Sequence, residues 1–335
     1  MKSLSRFIVS VTMVVMIASL LTLMPATVQA KKTPTEVKMV RDFYTDQLPE
    51  GIAIDKIGNM YVSIQSKGEV WRIRPDGEET LLLSIPTANA FGLAVDARGN
   101  VYATYAFGTA QGVYNITKHG SSYRISGTEN IRWANALAFD ERGNLYVTDT
   151  WNGAIWRVTP GGSAQLWIQH TLLYGLDSGA GKVDGYPPIG ANGIQYWRGG
   201  LYVANTEKGL LVYVPILKHG DAGTPRVIAG DIDKVGGNEG KLYGLDGIAL
   251  DVHGNVYGAS VLLSQVVKID PVNGEVQVIL TAADGLSNPA SLAFGTGKHD
   301  RETLFFTNFS VKDPSFGFGP AVLKLGLCVP GLPLP

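Results

Sequence analysis

One segment recurs six times along this chain, and that recurrence decides what it can fold into. The copies begin at Gly51, Gly92, Ala136, Gly193, Gly247 and Ser291. The unit is a run of alternating apolar residues, an Asp-x-x-Gly-Asn type turn whose Gly and Asn tolerate positive φ, and a second run with Tyr or Phe near its start. Such a unit is a β-hairpin. A third strand follows from Val70, Ala154 and Val266, and a fourth from Thr80, Ala164 and Val276. Successive starts lie 41, 44, 57, 54 and 44 residues apart, the length of a four-stranded propeller blade and too long for a leucine-rich or ankyrin unit. With 41 glycines and 17 prolines punctuating it, the chain reads as all-β.

Six blades fill residues 31–335. After the sixth hairpin only one more strand fits, from Ala321, and residues 36–43 are the natural donor of the missing outer strand. The expected fold is a six-bladed β-propeller with four-stranded blades, closed by pairing of its N- and C-terminal strands, which leaves no open edge.

Residues 1–30 stand outside this repeat. Lys2 and Arg6 precede an apolar run from Phe7 to Met24, and Val28 and Ala30 place small residues where signal peptidase reads. The segment reads as a secretory signal, so the expected location is secreted or periplasmic, with an uncleaved anchor as the alternative. With 28 basic against 29 acidic side chains there is no basic field for nucleic acid, and no membrane partner is expected beyond that anchor. One cysteine, Cys328, leaves no internal disulfide.

The residue before each repeat start enters the innermost strand, so the six converge at one end of the central channel: Glu50, Phe91, Asn135, Asn192, Asp246 and Ala290. Four carry side-chain oxygens. Two carboxylates and two amides on one axis repel and desolvate one another unless a cation lies between them. Oxygen-only ligands favour a hard ion, and a strand-built ring that imposes no octahedron favours Ca2+. Phe91 and nearby Trp133 suggest a less polar pocket than a sugar lactone wants.

With Pro49-Glu50-Gly51, Ala134-Asn135, Ala191-Asn192-Gly193 and Leu245-Asp246-Gly247, the chain from residue 31 onwards resembles the senescence marker protein, regucalcin and gluconolactonase family. Diisopropyl fluorophosphatase, paraoxonase and strictosidine synthase propellers are related to it. The resemblance implies metal ligation by Glu50, Asn192 and Asp246, with Asn135 beside substrate and metal. It also implies that Asp246 is the catalytic carboxylate, as base or nucleophile. The sugar-lactone members carry an Arg two residues before the second Asn and an Asp after it, whereas here Arg132 stands three before Asn135 and Ala136 follows.

Two insertions, 170–190 and 230–245, enter the ring strands of blades four and five and read as a lid. His170 is the one histidine placed to reach it. The five histidines lack paired spacing, which argues against zinc. No Gly-x-Ser-x-Gly elbow is present. Asn115 and Asn308 sit in glycosylation triplets. The expected activity is Ca2+-dependent hydrolysis of a small-molecule lactone or related ester. The rivals are a non-catalytic propeller that binds a protein or glycan around a structural ion, and a lyase or condensing enzyme on the same scaffold.

Overall fold

The Asp-x-x-Gly-Asn turns fold as local hydrogen-bond cages. The Asp55 carboxylate accepts the backbone amides of Ile57 and Asn59, the Asn59 side-chain amide and the Tyr61 hydroxyl, at 2.8 to 3.0 Å. Asp96, Asp140 and Asp251 repeat the arrangement with Asn100 and Tyr102, Asn144 and Tyr146, and Asn255 and Tyr257. The glycine takes the left-handed conformation each time, with φ of 84°, 82°, 79° and 87° at Gly58, Gly99, Gly143 and Gly254. The Asn does not. Its amide closes on the aspartate instead, which is why that position is Asn rather than a second glycine.

This computed structural model describes residues 36–179, 181–234 and 240–334. The segment read as a signal, and residues 235–239 of the second insertion, lie outside them. The described strands form six four-stranded antiparallel sheets. In five sheets, strand order follows the sequence. In the sixth, Lys38–Asp42 pairs with Ala321–Gly326 and completes the blade begun by Pro289–Phe294 and Thr303–Asn308. The expected propeller and its closure are therefore borne out.

The hydrophobic core lies between blades. Ile52, Val62 and Ile64 of the first blade pack with Phe305 and Val322 of the sixth, and equivalent clusters join the other neighbours. Each such fully buried aliphatic side chain contributes roughly 1.5–3 kcal/mol. At the channel end away from the ring, Leu332 and Leu334 of the C-terminal segment line a cavity of about 360 Å³ with Leu93, Leu137 and Phe294. That segment is anchored by the Leu332 amide on the Leu250 carbonyl, 2.8 Å.

All six inner strands carry the same irregularity. Pro49 pairs with Ile64 and Ile52 with Val62, so Glu50 and Gly51 together oppose the single residue Ser63. Phe91 and Gly92 likewise oppose Thr104, Asn135 and Ala136 oppose Thr148, and Asn192 and Gly193 oppose Ala204. Asp246 and Gly247 oppose Ala259, and Ala290 and Ser291 oppose Thr307. This is a β-bulge at each ring residue, a device that bends the strand and re-aims its side chain. Opposite four of the six bulges stands a hydroxyl, Ser63, Thr104, Thr148 or Thr307, that fixes the bulge. Ser63 Oγ accepts the Gly51 amide at 2.7 Å and donates to the Phe91 carbonyl of the next blade at 2.6 Å. Thr104 and Thr307 donate in the same way to the carbonyls of Asn135 and Glu50.

Four of the six repeats begin with glycine because the neighbouring blade's ring carbonyl passes there. A Cβ on Gly51, Gly92 or Gly193 would lie 2.3, 2.4 or 2.3 Å from the carbonyl oxygen of Phe91, Asn135 or Asp246. Gly193→Ala should therefore push apart the fourth and fifth blades and shift Asp246. We expect it to cost about 1–3 kcal/mol, the usual range for overpacking. Denaturant melts measure that cost; an unchanged midpoint would contradict the close approach.

Candidate metal and ester site

The bulges deliver Glu50, Asn135, Asn192 and Asp246 to one end of the channel. All four are buried, with between 4% and 8% of their surface exposed. Glu50 Oε2 is sealed from solvent and has no hydrogen-bond partner. Burial pushes the Glu50 carboxyl well above its ordinary range, and the negative charge of Asp246 pushes it further in the same direction. Burial also raises Asp246, against a hydrogen bond from the Asn192 amide that favours its charged form. The two carboxylates thus act on each other directly, and Asn192 stands beside one of them. Asn192 Nδ2 also donates to Thr206 Oγ1 at 3.0 Å, and Thr206 donates to the Leu245 carbonyl at 2.9 Å. This chain fixes the amide through its nitrogen.

Such a pair is unfavourable on its own: two like charges share a desolvated space, and one oxygen is unsatisfied. The donor set fits a divalent hard cation, because two carboxylates and amide oxygens supply charge and oxygen ligands together. Among the described residues no group of three or more His, Cys, Asp or Glu could hold a metal ion. Any ion here therefore needs the asparagines as well as the acids.

The other expected residues fall in two places. Phe91 and Trp133 belong to an apolar cluster with Ala106, to which Phe107, Trp151 and Ile189 add their side chains. His170 instead sits where blade three exits into the first insertion, and its Nδ1 accepts the Leu172 amide at 3.1 Å. Asn115 and Asn308 are 2% and 0% exposed, which removes both as glycan acceptors.

Sequence reasoning passed over Glu207. Fully buried, it accepts the amides of Leu176 at 2.6 Å and Val183 at 3.0 Å, with Lys182 Nζ 3.6 Å away. It clamps the first insertion from beneath. Tyr243 of the second insertion reaches the Gly181 carbonyl of the first at 3.4 Å. Ile189, at the end of the first insertion, touches the aromatic cluster, which places the insertion against the ring face.

Residues 189–310 match the family described as the SMP-30/Gluconolactonase/LRE-like region, a stretch that includes Asn192 and Asp246. The resemblance read from the sequence is borne out there. A search of curated proteins found no match. Among solved structures, a luciferin-regenerating enzyme is 16% identical with a TM-score of 0.67, covering 90% of this chain and 98% of its own. A gluconolactonase from Xanthomonas campestris is 18% identical with a TM-score of 0.62, covering 88% and 89%. The calcium-binding protein regucalcin from Agrobacterium tumefaciens is 16% identical with a TM-score of 0.63, covering 88% and 96%. At these identities the likeness establishes a shared fold.

The raised carboxyls set a pH dependence. A group whose pKa rises on folding stabilises the native state below its unfolded value, and that contribution is lost as pH climbs through the native value. For Glu50 and Asp246 the loss starts above their ordinary values of 4.5 and 3.8. In chelator, the melting temperature should fall from about pH 5 to about pH 8, and saturating calcium should flatten that fall by replacing the proton with a cation. An equal slope with and without calcium would contradict this arrangement of the acids.

Proposed function

We propose that this chain is an exported, calcium-dependent hydrolase of a lactone or related ester, with Glu50, Asn192 and Asp246 as the metal ligands and Asn135 beside the substrate. The observation that carries the reading is the buried, unpartnered Oε2 of Glu50, whose carboxyl feels the Asp246 charge; a cation would satisfy both. The match over residues 189–310 and the shared fold with a gluconolactonase and a calcium-binding protein support it. The N-terminal charge and apolar run support export.

Calcium bound there would polarise the ester carbonyl and lower the cost of negative charge developing on its oxygen. The protein's own residues do the rest. Asn192, held by Thr206, keeps Asp246 in one orientation, and burial keeps that carboxylate out of bulk water. Asp246 either takes the proton from an attacking water or attacks the carbonyl carbon itself. Both roles need a basic carboxylate next to the carbonyl. Asn135 offers an amide to the substrate on the neighbouring side of the ring.

Lactones, aryl esters and phosphotriesters, assayed with and without chelator, give the first test. Asp246→Asn keeps the size and one ligating oxygen but removes the basicity, so turnover should fall by a factor of ~10² or more at saturating calcium. Asn192→Asp should change calcium affinity more than rate. Retained turnover in Asp246→Asn would reject the catalytic role. A single turnover in 18O-labelled water then separates the two roles: direct attack expels the alkoxide and leaves an acyl anhydride on Asp246, whose hydrolysis by water at Cγ puts the label in the Asp246 carboxyl, whereas base catalysis puts it only in the product acid.

A further inference from the structure

The ring is polar at Glu50, Asn135, Asn192 and Asp246 and apolar at Phe91 and Ala290, and the Phe91 sector has a defined construction. Phe91 stands between Glu50 and Asn135 in blade order, and Trp133 lies two residues before Asn135. Their rings are 5.8 Å apart, Phe107 lies 4.7 Å from Trp133, and Phe91 meets Phe107 edge-on at 6.0 Å. The three rings form one aromatic wall beside the candidate metal ligands.

Two features of this wall exceed what packing needs. First, Trp133 is 5% exposed, yet its indole Nε1 has no hydrogen-bond partner. An orphaned buried donor is costly, and a core position would favour phenylalanine. Trp156 Nε1 is also unpartnered, but that residue lies on a third strand, outside the ring. The Trp133 backbone is tightly held, with its amide on Asp149 Oδ1 at 3.1 Å and its carbonyl accepting from the Thr150 amide at 3.0 Å, so the indole sits on a fixed base. Second, Phe107 has φ of 59°. A bulky side chain pays strain in the left-handed region where glycine would not, and such strain concentrates at binding sites.

We propose that Phe91, Phe107 and Trp133 bind the non-reacting part of the substrate, and that this part is a flat apolar or aromatic body bearing a single hydrogen-bond acceptor for the Trp133 indole. The substrate class is then aryl or alkyl lactones and esters rather than polyhydroxylated sugar lactones. Each sugar hydroxyl laid on this wall would lose water without gaining a partner, because the three rings hold only one polar hydrogen. An aromatic body instead gains offset or edge contacts with all three. Trp133 is the residue that sets this specificity.

The proposal rests on the hydrolase reading of the ring, so its test reads binding rather than turnover. Two stable isosteres are titrated calorimetrically into the full-length protein at saturating calcium: 6-methoxy-2-tetralone, which replaces the ring oxygen of an aryl lactone by CH2 and carries one ether oxygen on its aromatic body as the acceptor for Trp133, and gluconolactam, which replaces the ring oxygen of a sugar lactone by NH. Tetralone should bind at least ~10-fold more tightly. Trp133→Phe keeps the ring but removes the donor, and should weaken tetralone ~3–10-fold, the range for one neutral hydrogen bond. Phe107→Gly removes a ring at a backbone conformation that suits glycine, so it should lose tetralone affinity while the melting temperature shows the fold intact. Tighter binding of gluconolactam, no binding of tetralone, or unchanged tetralone affinity in Trp133→Phe would each overturn the proposal. Tetralone binding in a protein that turns over no ester would instead support the wall and reject the hydrolase.

Discussion

Two carboxylates that face each other out of water govern the architecture of this site. Isolated, Glu50 and Asp246 would each prefer solvent. Burial raises the proton affinity of both, the charge of Asp246 raises that of Glu50 further, and Glu50 Oε2 is left unsatisfied. Their arrangement makes sense as half of an interaction whose other half is a cation. Everything that holds them in place, from the Thr307 hydroxyl on the Glu50 carbonyl to the Thr206 hydroxyl on Asn192, works against their tendency to separate.

That restraint comes from the backbone. Six bulges at one repeat position turn six side chains towards one axis, and a glycine or small residue follows each because the next blade's carbonyl crosses there. The ring, the bulges and the interblade contact form one unit, so fold stability and site geometry are coupled. The sectors then divide the work. Glu50, Asn192 and Asp246 supply charge and oxygen, while Phe91, Phe107 and Trp133 supply an apolar wall.

Much of this was legible in the sequence. The hairpin repeat revealed the blade count, and the strand missing after Ala321 revealed the closure by residues 36–43, because both depend on local alternation and turn chemistry. The ring residues could be aligned because the repeat gives them one register. The bulge could not be read, since it depends on which residue of the second strand stands opposite, and Ser63 or Thr104 announces nothing alone. The Asn of the turns tolerates positive φ but does not use it; its bond to the aspartate carboxylate is a contact that propensity does not encode. Glu207 and Phe107 were missed for a similar reason. One acquires its role from a loop that folds over it, the other from a backbone angle.

The most direct measurement is the stoichiometry and affinity of calcium for the full-length protein and for Glu50→Gln, which keeps the shape and removes one of the two charges. The account predicts one tightly held ion per chain at neutral pH, and affinity reduced at least ~10-fold in the variant because charge count tunes such sites. No bound calcium in the parent protein, or equal affinity in the two, would contradict a cation site at the Glu50–Asp246 pair.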